Sequence, residues 1–372
     1  MIKVGITGQP GFIGTHLFNY LGLFQDKFER IEFKDEYFTQ PENLTKFVSE
    51  CDAIVHLAAL NRHNDPETIY RVNLELVNKL MDATEETGNY PHIIFSSSTQ
   101  EEKDNIYGRS KREGRELLEK WAKKHDSKFT GLVIPNVFGP FGRPFYNSFI
   151  STFSHQIVNG ESPEIQVDAE LNMINVDRLT ENIAEIIEKG ITGSPYYVEH
   201  IATTKVSETL EKLKNYRKLY QEQNIIPALG SYFDVALFNT YRSYLDLKEH
   251  YPVELKKFVD DRGFLVENIK EKTGGQNFYS VTKPGITRGN HFHRRKVERF
   301  CVLQGEAIIR MRKVGTDEIL EFPVSGEKPV TIDMPVWYTH NITNVGDSEM
   351  ITLFWTNEIF DPNDPDTYYE AV

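Results

Sequence analysis

The first two dozen residues constrain the fold more than any other stretch. Lys3-Val-Gly-Ile-Thr7 is a short apolar strand, Gly8-Gln-Pro-Gly11-Phe-Ile-Gly14 is a glycine turn, and His16-Leu-Phe-Asn-Tyr-Leu21 starts a helical pattern. A G-x-x-G-x-x-G run carries meaning only in this strand–turn–helix setting. Gly8 and Gly11 let the backbone approach a pyrophosphate, and the helix N-terminus offers amides and a partial positive charge. Gly14 lets the helix lie close to the strand, and Phe12 and Ile13 complete the turn. Further buried-type strands follow. Cys51-Asp-Ala-Ile-Val-His-Leu-Ala-Ala59 ends in Leu57, Ala58 and Ala59, whose small residues would let a cofactor pass close by; Ile93-Ile-Phe-Ser-Ser-Ser98 is another.

The second strand, Arg30-Ile-Glu-Phe33, ends near Lys34 and Asp35. An acid there suits the ribose hydroxyl of NAD and a base suits the phosphate of NADP. The two residues pull in opposite directions, and the reading taken is NADP(H) through Lys34. Asn73 opens a long helical stretch. Catalysis is expected from Ser98 and from Tyr107-Gly-Arg-Ser-Lys111, where Tyr and Lys, four apart, share a helix face. Lys111 is expected to lower the phenol from its usual ~10 and to bind the nicotinamide ribose. Tyr107 could then exchange a proton with a substrate oxygen that Ser98 hydrogen-bonds.

Together, Gly8-x2-Gly11-x2-Gly14, His56-Leu-Ala-Ala59, Ser98, Tyr107-x3-Lys111 and Pro135-Asn136-Val-Phe-Gly139-Pro140 resemble the extended short-chain dehydrogenase/reductases that act on nucleotide sugars. The resemblance implies a Rossmann α/β domain in which Asn136 borders the sugar-nucleotide pocket. Arg143 and Arg178 are candidates for the diphosphate, because guanidinium forks fit phosphate oxygens. Two departures narrow the chemistry. Only eight residues separate Ser98 from Tyr107, and Thr99-Gln100 stands where the family's 4,6-dehydratases carry an Asp-Glu pair. Glu101 and Glu102 follow out of place. Carbonyl reduction is therefore expected rather than dehydration.

A chain of 372 residues suits two domains. Val206 to Tyr220 reads as a polar helix and Phe233 to Leu245 as an aromatic one, its rings expected in packing. Beyond Tyr251-Pro252 the pattern changes to short alternating strands broken by Gly and Pro. The boundary is placed near residue 246, giving domains 1–245 and 246–372. The second holds Gly285-x5-His291-x-His293-x4-Glu298-x6-Gly305 and Pro335-x-Trp337-x2-His340-x3-Asn344. His291 and His293, two apart, share a strand face; Glu298 can fall across a turn, and His340 comes from a separate strand pair. Three imidazoles and a carboxylate suit Zn, Fe, Ni or Mn better than Mg or Ca.

Both motifs resemble the cupins, with Trp337 where a Gly is usual, which implies an all-β cupin barrel with His291, His293, Glu298 and His340 as metal ligands, zinc foremost. Asp260-Asp-Arg-Gly-Phe-Leu-Val-Glu267 and Lys283-Pro-Gly-Ile-Thr-Arg-Gly-Asn-His291 also resemble the metal-free deoxysugar 3,5-epimerases. There the matching His is a base, so His291 has two claims on it. With a purely structural metal, Tyr338 or Lys296 would have to move the proton.

The bulk figures exclude other classes. Net charge is −13, from 42 basic and 55 acidic residues, so there is no basic nucleic-acid face. Only Cys51 and Cys301 occur, far apart, which suits a reducing cytoplasm. Met1 runs straight into a strand, leaving no room for a signal peptide, and no apolar run reaches membrane-spanning length. Over essentially its whole length the chain resembles the CapF-type bifunctional capsular polysaccharide enzymes. That implies a cytoplasmic homodimer acting on a UDP-linked 4-keto-6-deoxy-N-acetyl sugar: C3 epimerisation in the cupin, then NADPH-dependent C4 reduction to UDP-N-acetyl-6-deoxy-L-talose, on the route to N-acetyl-L-fucosamine. Two other readings stay open at this point: an NAD-retaining epimerase with a structural cupin, and a non-enzymatic dinucleotide-sensing scaffold.

Overall fold

The structure, a computed structural model, describes residues 1–261 and 263–372; Arg262 of the Asp260–Glu267 segment lies outside the described residues. The chain forms two compact units. One comprises 1–138, 146–148 and 170–204, the other 139–145, 149–169 and 205–372.

In the first unit strands and helices alternate: β1 (Ile2–Thr7), α1 (Phe12–Gly22), β2 (Phe28–Ile31), α2 (Pro41–Glu50), β3 (Ala53–His56), α3 (Pro66–Thr87), β4 (His92–Ser98), α4 (Ile106–His125) and β5 (Phe129–Ile134). The sheet runs β2-β1-β3-β4-β5 and then Gly193–Tyr197, with every neighbour parallel. Both faces are covered, as parallel sheets require. Leu17 and Leu21 of α1 join Leu179 and Ile183 of helix Val176–Lys189 in one core. Phe47, Val77, Leu80, Leu118 and Trp121 join the other. Each such side chain contributes about 1.5–3 kcal/mol on full burial. Strand order reverses between β1 and β3, and in open α/β sheets ligands bind outside the carboxyl ends at such a point. The glycine turn and Leu57–Ala59 follow the carboxyl ends of β1 and β3 there, and Ser98 closes the neighbouring β4.

Two elements differ from the sequence reading. The second strand lies earlier, at Phe28–Ile31, and Phe33 is buried beyond its end. Helix α3 begins at Pro66, not Asn73, because Asp65 caps it by accepting the Glu67 N–H at 3.2 Å. Asn73 instead sits buried inside α3. It accepts the Leu60 N–H at 2.7 Å and donates to Leu60 O and Ser110 Oγ, which ties down the loop after β3.

The second unit holds two antiparallel sheets of five strands. One is ordered Val253–Glu254, Val330–Met334, Glu298–Gln304, Met350–Thr356, Gln276–Thr282; the other is Ile319–Ser325, Glu306–Lys313, Tyr338–Asn344, Thr287–Phe292, Tyr368–Tyr369. Helices Val206–Tyr216 and Tyr232–Arg242 group with these sheets rather than with the first unit. The physical reason is a buried polar node. Arg299 grips Asp333 through Nε–Oδ1 at 2.6 Å and Nη2–Oδ2 at 2.9 Å, Tyr220 donates to Asp333 Oδ2 at 2.7 Å, and Arg242 donates to Met334 O at 3.0 Å. The expected aromatic packing is present as edge contacts of Phe238 with Tyr216 and Tyr220.

Removing one partner of a buried pair strands the other charge at a cost of about 3–5 kcal/mol. Asp333→Asn is therefore expected to destabilise this unit by that amount, measured as a lowered midpoint in urea unfolding.

Candidate active site and cation site

At the end of β1, Gly8 adopts φ +70, and a Cβ there would lie 2.8 Å from the Ala58 N. A Cβ on Gly14 would lie 2.4 Å from Gly8 O, so α1 packs onto the turn by backbone alone. Gly11 caps α1 without a side-chain hydrogen bond, and the first turn carries no acid. The first turn thus contributes no carboxylate of its own to compete at these amides, which fits the diphosphate of a dinucleotide. Lys34 follows β2, exposed, 3.5 Å from Glu32 Oε1.

Ser98 ends β4 and caps the short turn Thr99–Glu102. Its Oγ accepts the Gln100 N–H at 3.2 Å, leaving its own hydrogen to donate. Helix α4 starts against this turn. Asn105 Oδ1 accepts the Gly108 N–H at 2.8 Å, and its Nδ2 donates to Gln100 Oε1 at 3.1 Å. A Cβ on Gly108 would stand 2.0 Å from Gln100 O. These contacts hold the start of α4, which carries Tyr107, against the turn that Ser98 caps. Neither Asn105 nor Gly108 was singled out from the sequence, although Asn before a helix is a capping signal.

Lys111 is buried, with Nζ donating to Ser96 Oγ at 3.5 Å and lying 4.6 Å above the Phe95 ring. Burial brings its amine down to about 7. The Tyr107 phenol is pushed up to about 12 by burial and then by Tyr146. The lowering of the phenol expected from Lys111 is absent in this geometry: the amine turns toward β4, and desolvation disfavours the charged form of both groups. Glu101 is buried and held by Arg115 and Ser97, whereas exposed Glu102 accepts from Tyr197 OH at 3.3 Å.

Asn136 donates to Asn172 O at 3.2 Å, and exposed Arg178 donates to Glu181 Oε2 at 3.2 Å. Both belong to the first unit, while Arg143 belongs to the second.

In the second unit His291, His293, Glu298 and His340 bring one ligand atom each to within 4.8 Å of one another. His291 and His340 pair across adjacent strands, while Glu298 comes from the other sheet. His293 lies one residue past its strand, beyond a bulge at Gly289–His291 with Asn290 at φ 61. Two outer contacts orient the rings. His293 Nδ1–H donates to Asp366 O at 2.5 Å and His340 Nδ1–H to Tyr338 O at 3.1 Å, so both turn Nε2 toward Glu298, each 3.3 Å from Oε2. Carbonyl-anchored imidazoles of this kind are typical of metal ligands. His340 Nε2 is buried and, among the described residues, makes no hydrogen bond of good geometry, which suits a ligand atom. Burial opposes ionisation of Glu298, but His293 and His340 hold it well below the usual carboxylate range. Burial, then His340 and His293, bring His291 down to about 4, which keeps it neutral and able to ligate.

Asp366 was not anticipated. Its carboxylate accepts the N–H groups of Arg294, Arg295 and Lys296 at 2.9–3.1 Å, which shapes the loop between His293 and Glu298. Its partners lie about 70 residues away in sequence, and no local pattern marks it. Trp337, where the motif usually has Gly, takes φ 60 and is held there by stacking on Phe292 at 5.2 Å. Lys296 is buried and donates to Pro365 O at 2.5 Å, and Tyr338 is half-buried, its phenol raised by burial and Glu318.

The class these features define is a dinucleotide-binding α/β domain joined to an antiparallel β domain that can hold a cation. Residues 4–174 match the NAD dependent epimerase/dehydratase family and residues 258–368 the polysaccharide biosynthesis C-terminal domain. The chain is 32% identical over 378 residues to a UDP-2-acetamido-2,6-beta-L-arabino-hexul-4-ose reductase of Pseudomonas aeruginosa, covering 100% of this chain and 99% of the relative. A crystal structure of the capsular polysaccharide assembling protein CapF from Staphylococcus aureus matches with TM-score 0.65 and 35% identity over 100% of both chains. The structure of RMD from Pseudomonas aeruginosa complexed with NADPH, 20% identical, shares the fold over 59% of this chain and 84% of its own, at TM-score 0.54. The chain belongs to the CapF-type family of polysaccharide-biosynthesis proteins.

Two outcomes follow from the geometry. Between pH 7 and the ordinary lysine value of 10.5 the unfolded chain holds a proton on Lys111 that the native protein does not, so stability rises with pH across that window. Lys111→Met is therefore expected to raise the melting temperature most below pH 7 and progressively less toward pH 10.5. Asp366→Ala is expected to weaken zinc binding by about 10–100-fold, measured by competition with a chromogenic chelator; unchanged affinity would remove Asp366 from the support of the cluster.

Proposed function

We propose that this chain is a bifunctional UDP-sugar enzyme of capsule or surface polysaccharide synthesis. Its substrate is a UDP-2-acetamido-2,6-dideoxy-4-hexulose, epimerised at C3 in the cupin and then reduced at C4 to UDP-N-acetyl-6-deoxy-L-talose. The observation that carries this reading is the junction of the Ser98 turn and the Tyr107 helix, with Glu101 engaged by Arg115 and Ser97. Beside the catalytic pair stands no free buried carboxylate of the kind that elimination of water requires, among the described residues. The full-length likeness to the Pseudomonas aeruginosa hexul-4-ose reductase supports the same substrate class.

The order of steps follows from carbonyl chemistry. The C3 hydrogen is acidic only while C4 is a ketone, so epimerisation precedes reduction, and reduction locks the new centre. When bound, NADPH supplies the hydride. Tyr107 donates the proton to the C4 oxygen, and a phenol near 12 is protonated at neutral pH, the form reduction needs. Ser98 orients that oxygen with its free hydroxyl hydrogen, Lys111 secures the nicotinamide ribose, and Lys34 selects the phosphate of NADP. The glycines at 8, 11 and 14, with Phe12, Ile13 and Leu57–Ala59, form the cofactor wall. Asn136 and Arg178 take the UDP-sugar. His291, His293, Glu298 and His340 would hold a divalent cation, zinc foremost, which would supply a Lewis acid for the C4 carbonyl.

The buried free thiols of Cys51 and Cys301 suit the cytoplasm. A homodimer is in keeping with the outermost strand Gln276–Thr282, which exposes Phe278, Tyr279 and Val281 on an edge that monomeric proteins protect.

The test uses NMR in D2O with a UDP-4-keto-6-deoxy-N-acetyl sugar. Deuterium is expected at C3 without cofactor, and a C4 alcohol only with NADPH. Tyr107→Phe is expected to slow NADPH oxidation at least about 100-fold while leaving C3 exchange intact; loss of both activities together would sink the two-site reading.

A further inference from the structure

We propose that Glu101 and Arg115 are positioning residues for the C4 reduction: their buried ion pair locks the turn that carries Ser98 to the helix that carries Tyr107 and Lys111. The inference rests on the reductase reading above and goes beyond it, because neither residue contacts the reacting atoms.

Tyr107, Lys111 and Arg115 are spaced four apart on α4 and so share one face. From that face Arg115 reaches back to the Ser98 turn. Its Nε donates to Glu101 Oε2 and its Nη2 to Glu101 Oε1, both at 3.1 Å, with the two side chains only 9% and 6% exposed. Ser97, the neighbour of Ser98, donates to Glu101 Oε2 at 2.6 Å. The remaining arm of the guanidinium donates to Ser194 Oγ at 3.0 Å, which in turn donates to Glu119 Oε2 at 2.9 Å. A two-point fork sets angle as well as distance, so the pair fixes how the turn faces the helix.

The surrounding backbone is shaped around this pair. Gly131 lies in the middle of β5, a buried strand where glycine is normally a weakness. A Cβ there would stand 2.6 Å from Arg115 Cγ and Cδ. The strand gives up a side chain so that the Arg115 stem can cross it. At the other end of the helix turn, Gly108 removes the Cβ that would strike Gln100 O. Glu101 is thus no acid or base for the substrate. Both of its oxygens are occupied, and its task is to hold Ser98 and Tyr107 on one substrate oxygen, where misplacement by about 1 Å can cost about 100-fold.

The experiment compares full-length Glu101→Gln and Arg115→Lys with wild type in NADPH oxidation, with C3 deuterium exchange as the internal control. Each variant is expected to lower kcat about 10–100-fold, with the KM for NADPH and C3 exchange unchanged. In a double-mutant cycle, Glu101→Gln added to Ser98→Ala is expected to lower kcat little further, since the turn it holds no longer carries the hydroxyl. Fully multiplicative losses, or a Glu101→Gln enzyme with wild-type kcat, would overturn the proposal. If Glu101→Gln fails to fold, Arg115→Lys, which keeps the charge and loses the fork, decides the matter by the same cycle. Should Ser98→Ala and Tyr107→Phe leave NADPH oxidation intact, the reductase reading itself fails and takes this inference with it. Should those two abolish it while Glu101→Gln keeps wild-type kcat, this inference alone fails.

Discussion

Backbone packed directly on backbone, without intervening side chains, is the constraint on which the nucleotide-binding unit depends. At Gly8 the turn meets Ala58, at Gly14 the helix meets the turn, and at Gly108 the next helix meets Gln100. Each contact is closer than a Cβ would allow. Together they draw the carboxyl ends of β1, β3 and β4 into one rim, where strand order reverses. A glycine in a helix costs about 1 kcal/mol relative to alanine, and the structure accepts that cost where the approach of two elements sets the position of a functional group.

Burial then governs the chemistry on both units, with opposite outcomes. In the first it neutralises: the Lys111 amine comes down and the Tyr107 phenol goes up because neither has a counter-charge close enough to offset desolvation. In the second it concentrates charge, since Glu298 stays ionised between His293 and His340 and Asp333 stays ionised against Arg299. A carboxylate amid imidazoles whose Nδ1 hydrogens are committed to carbonyls is a donor set of the kind metal sites use. The same low dielectric makes the Glu101–Arg115 pair rigid rather than merely favourable.

Much of this was legible in the sequence, for an identifiable reason. The glycine turn, the Tyr–Lys spacing and the His-x-His motif are local patterns, and local geometry fixes which residues can share a turn or a face. What was misplaced was also local in origin. Asn73 looked like a helix start because its partner Leu60 could not be seen, and the second strand was set two residues late because buried Phe33 continues the apolar run past the point where pairing stops. Glu101 read as an acid out of place until Arg115 appeared opposite it.

The sequence by itself determined the kinds of fold, their order along the chain, and the four residues of the His/Glu cluster, because those follow from periodicity and from motifs only a few residues long. Only the tertiary structure decided how those residues are held. Asp366 shapes the loop between His293 and Glu298 from some 70 residues away, Gly131 opens a strand for Arg115, and the helices after residue 205 join the β sheets through Asp333. Such contacts join residues far apart in the chain, and a buried polar group finds its partner only when the chain has folded around it.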